Sequence, residues 1–488
     1  MVKPNVPKGI CIRCKGARLL CGKLECPILK KYSILKGVIS FDLNKIQRNK
    51  ILFGASPPAI FVGRQNYPEV LVGPMIPIEE VFQKGIPNLL KQNTHILDYS
   101  EFWFGKNMDE IMIYRSSLVR SNFRMNIKIG IEERNLNQPK LFDEIIEKLS
   151  LKEKRMLESS QQLAMAKNSV DTETYFNKLK VEMTYDVHTP PLGPSGRAEE
   201  IKIIDNIKIH PKVEYVVNDI DLKASDAIIY YLYPTQLNKN LELNISENFN
   251  NIIFTTEIQR LLSAGLLGTK KGRKLVPTRW AITAVDSIIS EFLISKLKNF
   301  NEINEFYTFH EKFMDNNFVI LLMPGKWCYE MMEVWYSNTI WTQPVPGVQE
   351  GLPTNNYQIV EDYELESGRT SYASNITGAY YAARKEVAEF LFNEKKQARC
   401  IVFREVNGGY IVPLGVWVIR ETVREALKNG FKNKSIECSD TLEKALTRIK
   451  RELKTPLSEW INASNLLKNI KSQKRIDEWI KFEPKKIA

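Results

Sequence analysis

Four cysteines fall within residues 11–26, spaced Cys11-x2-Cys14-x6-Cys21-x4-Cys26. Thiolates at this density suit a tetrahedral Zn²⁺ site, in which a C-x2-C pair supplies one edge and a second pair closes the coordination. Gly16 and Gly22 supply the turns such a site requires. Four protein ligands leave no open position, so a zinc held here folds the N-terminus and does not catalyse. The alternative for the same residues is a redox-active C-x-x-C motif. Arg13, Lys15, Arg18 and Lys23 lie within the loop, where they would offset the thiolate charge or meet phosphates.

A second pattern occurs near the other end, in QKRIDEWI (473–480). On one tight helical turn Ile476, Trp479 and Ile480 project to one side as a hydrophobic plug, and Gln473 reaches the rim. A short helical peptide entering an apolar groove has this design, with the Trp as its energetic centre. The pattern resembles the PIP box that tethers proteins to PCNA-type sliding clamps, except that Ile480 stands where a second aromatic is usual. The same residues also read as the docking stripe of an ordinary amphipathic helix.

Between these ends the chemistry is thinner. The turn GTKKGRK (268–274) lacks the Gly-x4-Gly-Lys-Ser/Thr spacing of a phosphate loop. Ser195 is not in a nucleophile elbow, and none of the four histidines has a partner at i+4. Asp186, His188, Glu199, Glu200 and Asp205 could hold a divalent metal for phosphodiester hydrolysis, giving an alternative function as a clamp-tethered nuclease. They read equally as a solvated acidic edge, so catalytic residues stay unassigned. Residues 257–281 have the order of a winged helix, with Lys270, Lys271, Arg273, Lys274 and Arg279 as nucleic-acid contacts. The competing reading is a solvated basic turn between two helices. The aromatic run at Trp327, Trp335 and Trp341 has near-helical spacing and reads as core rather than as a stacking platform.

These groups need a sizeable scaffold. The chain has 488 residues, enough for two or three domains, and a net charge of +12, which favours polyanionic partners. Residues 1–31 carry eight Lys or Arg against Glu25 alone. There is no apolar leader, and no apolar run approaches the roughly 18 residues that would cross a bilayer, so a soluble intracellular protein without a membrane partner is expected. Alternation predicts strands at 59–62, 69–72, 318–323, 400–405 and 410–419, and paired strands over 201–217. Helical spacing predicts helices over 141–166, 225–232, 382–397 and 441–453, and over 257–297 on both sides of the basic turn. The fold class is α+β in two large mixed lobes. The expected divisions are 1–30 (zinc module), 31–300, 301–470 and 471–488 (clamp tail).

Taken together, the cysteine cluster, SPPAIFVGRQNYPEVLVGP (56–74), VHTPPLGPSG (187–196), PTRWAITAVDS (277–287), MPGKWCYEMMEVWY (323–336), GAYYAARKEV (378–387) and GGYIVPLGVWVIRE (408–421) resemble the NreA family of archaeal DNA repair proteins. The resemblance spans nearly the whole chain. It implies DNA-damage repair through the sliding clamp (PCNA), beside the chromosome in the cytoplasm. It also implies zinc on Cys11, Cys14, Cys21 and Cys26, and clamp binding through Gln473, Ile476, Trp479 and Ile480. It implies no catalytic assignment.

Overall fold

The computed structural model describes residues 51–77, 94–126, 150–180, 200–236, 254–336, 357–428 and 431–472, less short breaks at 65, 117, 204–206, 211–214, 216–219, 270–271, 408–409, 411–413, 429–430 and 432–436. The mixed α+β content is as the sequence predicts. Two large sheets are formed among the described residues.

The first sheet holds β1 (Ile51–Ser56), β2 (Ile60–Val62), β3 (Glu69–Pro77), β4 (Leu118–Asn126), β5 (Val170–Lys180), β6 (Glu200–Ile203) and β7 (Lys208–His210). Its order is β1-β5-β6-β4-β3-β2, with β7 against β5. β4 and β6 run parallel and the other pairs antiparallel. Strand β1 alternates exposed and buried residues, as a half-buried strand must. Between β3 and β4 lies α1 (Met108–Ser116). Helix α2 (Leu151–Ala164) turns Met156 and Leu157 onto Val70, Val72 and Phe123.

Of the helix expected over 141–166, α2 covers Leu151–Ala164, and residues 141–149 lie outside the described residues. Ser150 is extended, its hydroxyl accepts from Glu153 N, and the Glu153 carboxylate accepts from Ser150 N. That reciprocal cap makes Leu151 the first residue of α2.

The second sheet has the order β12-β11-β14-β10-β9-β15: β9 (Phe306–Phe313), β10 (Asn316–Met323), β11 (Cys328–Tyr336), β12 (Tyr357–Glu364), β14 (Arg399–Val406) and β15 (Glu437–Ser439). β8 (Asn301–Glu302) and β13 (Lys396–Gln397) form a small parallel pair. Every residue of β10 is buried, because both faces of the sheet are covered. Phe318, Ile320 and Leu322 face one apolar cluster, while Val319, Leu321 and Met323 face another. The first face is covered by α5 (Thr278–Leu297), α6 (Gly378–Asn393) and α7 (Trp417–Leu427), the second by α8 (Leu442–Glu452), α9 (Leu457–Ala463) and α10 (Asn465–Ser472). Helices α3 (Ala224–Leu232) and α4 (Thr255–Ser263) complete the set, α4 running into the turn that precedes α5.

Two further expectations change. The strand expected over 410–419 is corrected, since Trp417 opens α7; a mostly apolar run interrupted by Pro413 and Gly415 fits either period. The spacing around Trp327 looked helical, yet Cys328–Tyr336 is a strand of the second sheet. Trp327 and Trp335 are buried, in agreement with the core reading, and Trp341 lies outside the described residues.

The sheets do not own separate interiors. One apolar cluster runs from Leu52, Met75 and Ile76 of the first sheet, through α4 and α5, to Phe318 and Val402 of the second. At the junction the Trp103 ring meets Trp417 edge-on at 5.0 Å, and Phe313 meets Trp417 at 6.2 Å. The Trp417 indole donates to Leu414 O. Trp417→Ala is expected to cost about 3–5 kcal/mol and to lower the denaturation midpoint of helical and aromatic signals together. Loss of one signal with the other unchanged would show that the lobes fold apart.

Candidate functional site

Helices α5, α6 and α7 start on one cavity of about 870 Å³, within the size range of ligand-binding pockets. Arg279 and Trp280 come from the first turn of α5, Thr377 and Gly378 from the start of α6, and Val416, Trp417 and Arg420 from the start of α7. The loop after β2 adds Arg64, and Tyr372 and Tyr381 complete the aromatic side. Gly378 permits this convergence: a Cβ there would lie 3.1 Å from Val416 Cγ1 and 3.3 Å from Thr283 Oγ1. Thr377, just before it, has φ 67°, a conformation unfavourable for a β-branched residue that the surrounding packing must enforce.

None of these three helices has a side-chain cap at its N-terminus or an acid in its first turn. Uncapped backbone N–H groups and the positive end of the dipole favour an anion at such termini. Helix α4 also contributes to the lining through Thr256, but it is capped: Glu257 accepts from Phe254 N and Glu101 from Thr256 N.

The side chains reinforce this polarity. The cavity is lined by Arg64, Arg279 and Arg420 against one acid, Asp98, whose carboxylate is held by Arg260 at 2.8 Å. Arg260 also donates to Pro58 O and lies 4.0 Å over the Tyr99 ring. Burial, and then the charge of Arg64, press the Arg279 guanidinium below its ordinary value. A bound anion would relieve that repulsion. Arg420 is 1% exposed and donates to Asp286 Oδ2 at 2.5 Å. Burial opposes the Arg420 charge, but the attraction and hydrogen bond of Asp286, with the nearby Glu421 and Glu101, together raise the guanidinium above its ordinary value. The Nε of Arg420 has no hydrogen-bond partner, a costly omission for a buried donor.

Aromatic rings flank the cations. Trp280 is 45% exposed and meets Tyr67 at 5.0 Å; Tyr372 is 54% exposed and stacks on Tyr381 at 5.3 Å. Helices α6 and α7 are locked behind them, with Arg424 Nε and Nη2 donating to the two oxygens of Glu386 at 3.0 and 2.9 Å. Burial alone would raise Glu386, but Arg424 and Lys385 hold it down to about 2.

Of the sequence-predicted contacts, Arg279 lies in the cavity. Arg273 does not: it donates to Gly268 O and Ile220 O and so braces its own turn. Lys274 is exposed on that turn, which joins α4 to α5; Lys270 and Lys271 lie outside the described residues. Cys11, Cys14, Cys21 and Cys26 also lie outside them, as do Gln473, Ile476, Trp479 and Ile480. Of the acidic candidates only Glu200 is described, at the start of β6. Among the described residues no group of three or more His, Cys, Asp or Glu could hold a metal, and no helix is long and apolar enough to cross a membrane.

Sequence reasoning missed Arg64, Trp280, Tyr372 and Arg420 as site residues. No motif joins them, yet three of the four lie in the segments 56–74, 277–287 and 408–421 that carry the family resemblance.

Two outcomes follow. Asp286→Ala would leave the Arg420 charge buried without its partner, at a cost of about 3–5 kcal/mol by chemical denaturation; a loss under 1 kcal/mol would contradict the pairing. His95, beside Tyr99, is lowered from 6.5 to about 4 by burial and then by Arg260. The unfolded chain therefore takes up this proton before the folded one does. The His95 contribution is fully present above pH 6.5 and falls as pH drops toward 4. His95→Gln should flatten stability over that window, and an unchanged slope would exclude His95 as its source.

A family model described as "Archaeal Nre, N-terminal" matches residues 20–342, and one described as "Archaeal Nre, C-terminal" matches residues 364–479. The chain is 31% identical over 450 residues to DNA repair protein NreA of Archaeoglobus fulgidus, covering 92% of this chain and 95% of that protein. It is 33% identical over 461 residues to DNA repair protein NreB of the same organism, covering 94% and 97%. Against DNA repair protein NreA of Haloferax volcanii it is 28% identical over 406 residues, covering 82% and 84%. No solved structure matches. With both family models matched and relatives aligned over nearly its full length, the chain belongs to the archaeal Nre family.

Proposed function

We propose that this chain is a DNA repair protein that holds DNA at electropositive surfaces and is recruited by the sliding clamp (PCNA) through its last residues. The observation that carries the DNA reading is the cavity where three uncapped helix N-termini meet Arg64, Arg279 and Arg420. The repair role rests on relatives that bear that name and align over 92% and 94% of this chain.

Clamp recruitment rests on the spacing of Gln473, Ile476, Trp479 and Ile480. The segment leading to them is tied down at its base. Glu330 of β11 accepts from Asn465 N at 2.6 Å and Leu466 N at 3.2 Å, which caps α10. Burial pushes this carboxyl up, while bonds from Ser464, Asn465 and Leu466 work against that rise. At the other end Cys11, Cys14, Cys21 and Cys26 form a donor set that fits closed, structural zinc. Bound zinc would supply a cross-link that folds the basic N-terminal segment.

The test is a binding titration of the purified chain with its clamp. Trp479→Ala should lower affinity at least about tenfold, or about 1.4 kcal/mol; unchanged affinity would remove the clamp assignment. Metal analysis should return one zinc per chain, and Cys14→Ser should release it. Full zinc content in that variant would exclude the four-cysteine site.

A further inference from the structure

We propose that the cavity is a pocket for a single unpaired nucleotide of a DNA strand, with its phosphate at Arg64, Arg279 and Arg420 and its base against Trp280 and Tyr372. The inference rests on the DNA-binding reading above and specifies the form of DNA that is held.

The phosphate half follows from complementarity. An anion needs donors whose other partners are already satisfied or absent. Arg420 supplies a buried Nε without a partner, held in place because Asp286 engages the neighbouring Nη2. Around it three helices begin without side-chain caps or first-turn acids, so their backbone donors and dipoles add to the same potential. Asp98, the acid in the lining, is neutralised by Arg260. Arg279 and Arg64 repel each other across the wall, and a phosphate between like charges converts that repulsion into attraction.

The base half follows from the exposed rings. Large aromatics left half in solvent beside a cationic cavity offer flat faces that stack on any base without reading its identity. Trp280 adjoins Arg279 in the first turn of α5, so the ring and the guanidinium are offered together. Tyr372 is held rigid by its stack on Tyr381, whose hydroxyl accepts from Ala373 N at 3.0 Å.

Size decides the form of the ligand. A volume of about 870 Å³ takes one nucleotide comfortably but not a duplex, so the nucleotide that enters must be unpaired or extruded from the helix. Extrusion is cheapest at mismatched, bulged or damaged positions, where a repair protein is needed.

The experiment compares full-length protein binding to three labelled DNAs by anisotropy: a paired duplex, the same duplex with one unpaired nucleotide, and that duplex with an abasic unit at the unpaired position. The unpaired nucleotide should bind about tenfold more tightly than the paired duplex, and the abasic unit should lose most of that gain. Trp280→Ala and Arg279→Gln should each abolish the preference, while Lys274→Gln, on the exposed turn, should retain it. Deoxyadenosine monophosphate should compete, and deoxyadenosine should not. Equal binding of all three DNAs, unaffected by Trp280→Ala or Arg279→Gln, would overturn the pocket while leaving DNA binding intact. Binding of free deoxyadenosine monophosphate without any preference among the DNAs would overturn the strand assignment. Failure to bind any DNA would overturn both this inference and the reading beneath it.

Discussion

The buried pair of Arg420 and Asp286 is the constraint on which the arrangement of this molecule turns. Asp286 lies mid-way along α5 and Arg420 in the first turn of α7, both almost fully excluded from water. Two charges removed from solvent are tolerated only while they hold each other closely. The pair therefore fixes the start of α7 against α5. Gly378 lets α6 into the remaining space, and the Arg424–Glu386 pair fastens α6 to α7. The outcome is a rigid meeting of three helix ends, one buried guanidinium and a shared apolar core beneath both sheets. A pair of this kind is seldom the most stable filling for a core. Its value here is that it keeps a positive charge at the floor of a cavity where a hydrophobic substitute would leave none.

Much of the architecture was legible in the sequence because the periods were clean. The strands around 318–323 and 400–405 and the helices at 225–232 and 441–453 are where apolar spacing put them. Errors arose where pattern and local chemistry disagreed. The reciprocal Ser150–Glu153 cap fixes Leu151 as the first residue of α2, a point that apolar spacing alone does not locate. An apolar run such as 410–419 fits a buried strand and the buried start of a helix equally, and only the packing of Trp417 against Trp103 and Phe313 separates them. The run at Trp327 shows the reverse ambiguity, since residues eight apart share a face in a strand as well as lying near one face of a helix.

The cavity was illegible for a different reason. Arg64, Arg279, Tyr372 and Arg420 span more than three hundred residues of chain, and no local spacing links them. Of these only Arg279 is legible in the sequence, as one of the basic residues of the winged-helix-like segment 257–281. The structure divides that segment: Arg273 is spent on backbone carbonyls, Lys274 faces solvent, and Arg279 belongs to the next helix and its cavity. Charge counting finds a basic molecule, whereas folding decides which cations are available to a ligand and which brace the chain.

In the proposed pocket a DNA base is held in the cavity, rather than at the basic turn or the basic N-terminal segment. Photocrosslinking tests this most directly, using single-stranded DNA carrying a photoreactive pyrimidine and mass spectrometry to locate the attached residue. Attachment is expected at peptides containing Trp280 and Tyr372, suppressed by excess deoxyadenosine monophosphate. Attachment confined to residues 1–31 or to the 268–274 turn, with the cavity peptides unlabelled, would contradict it.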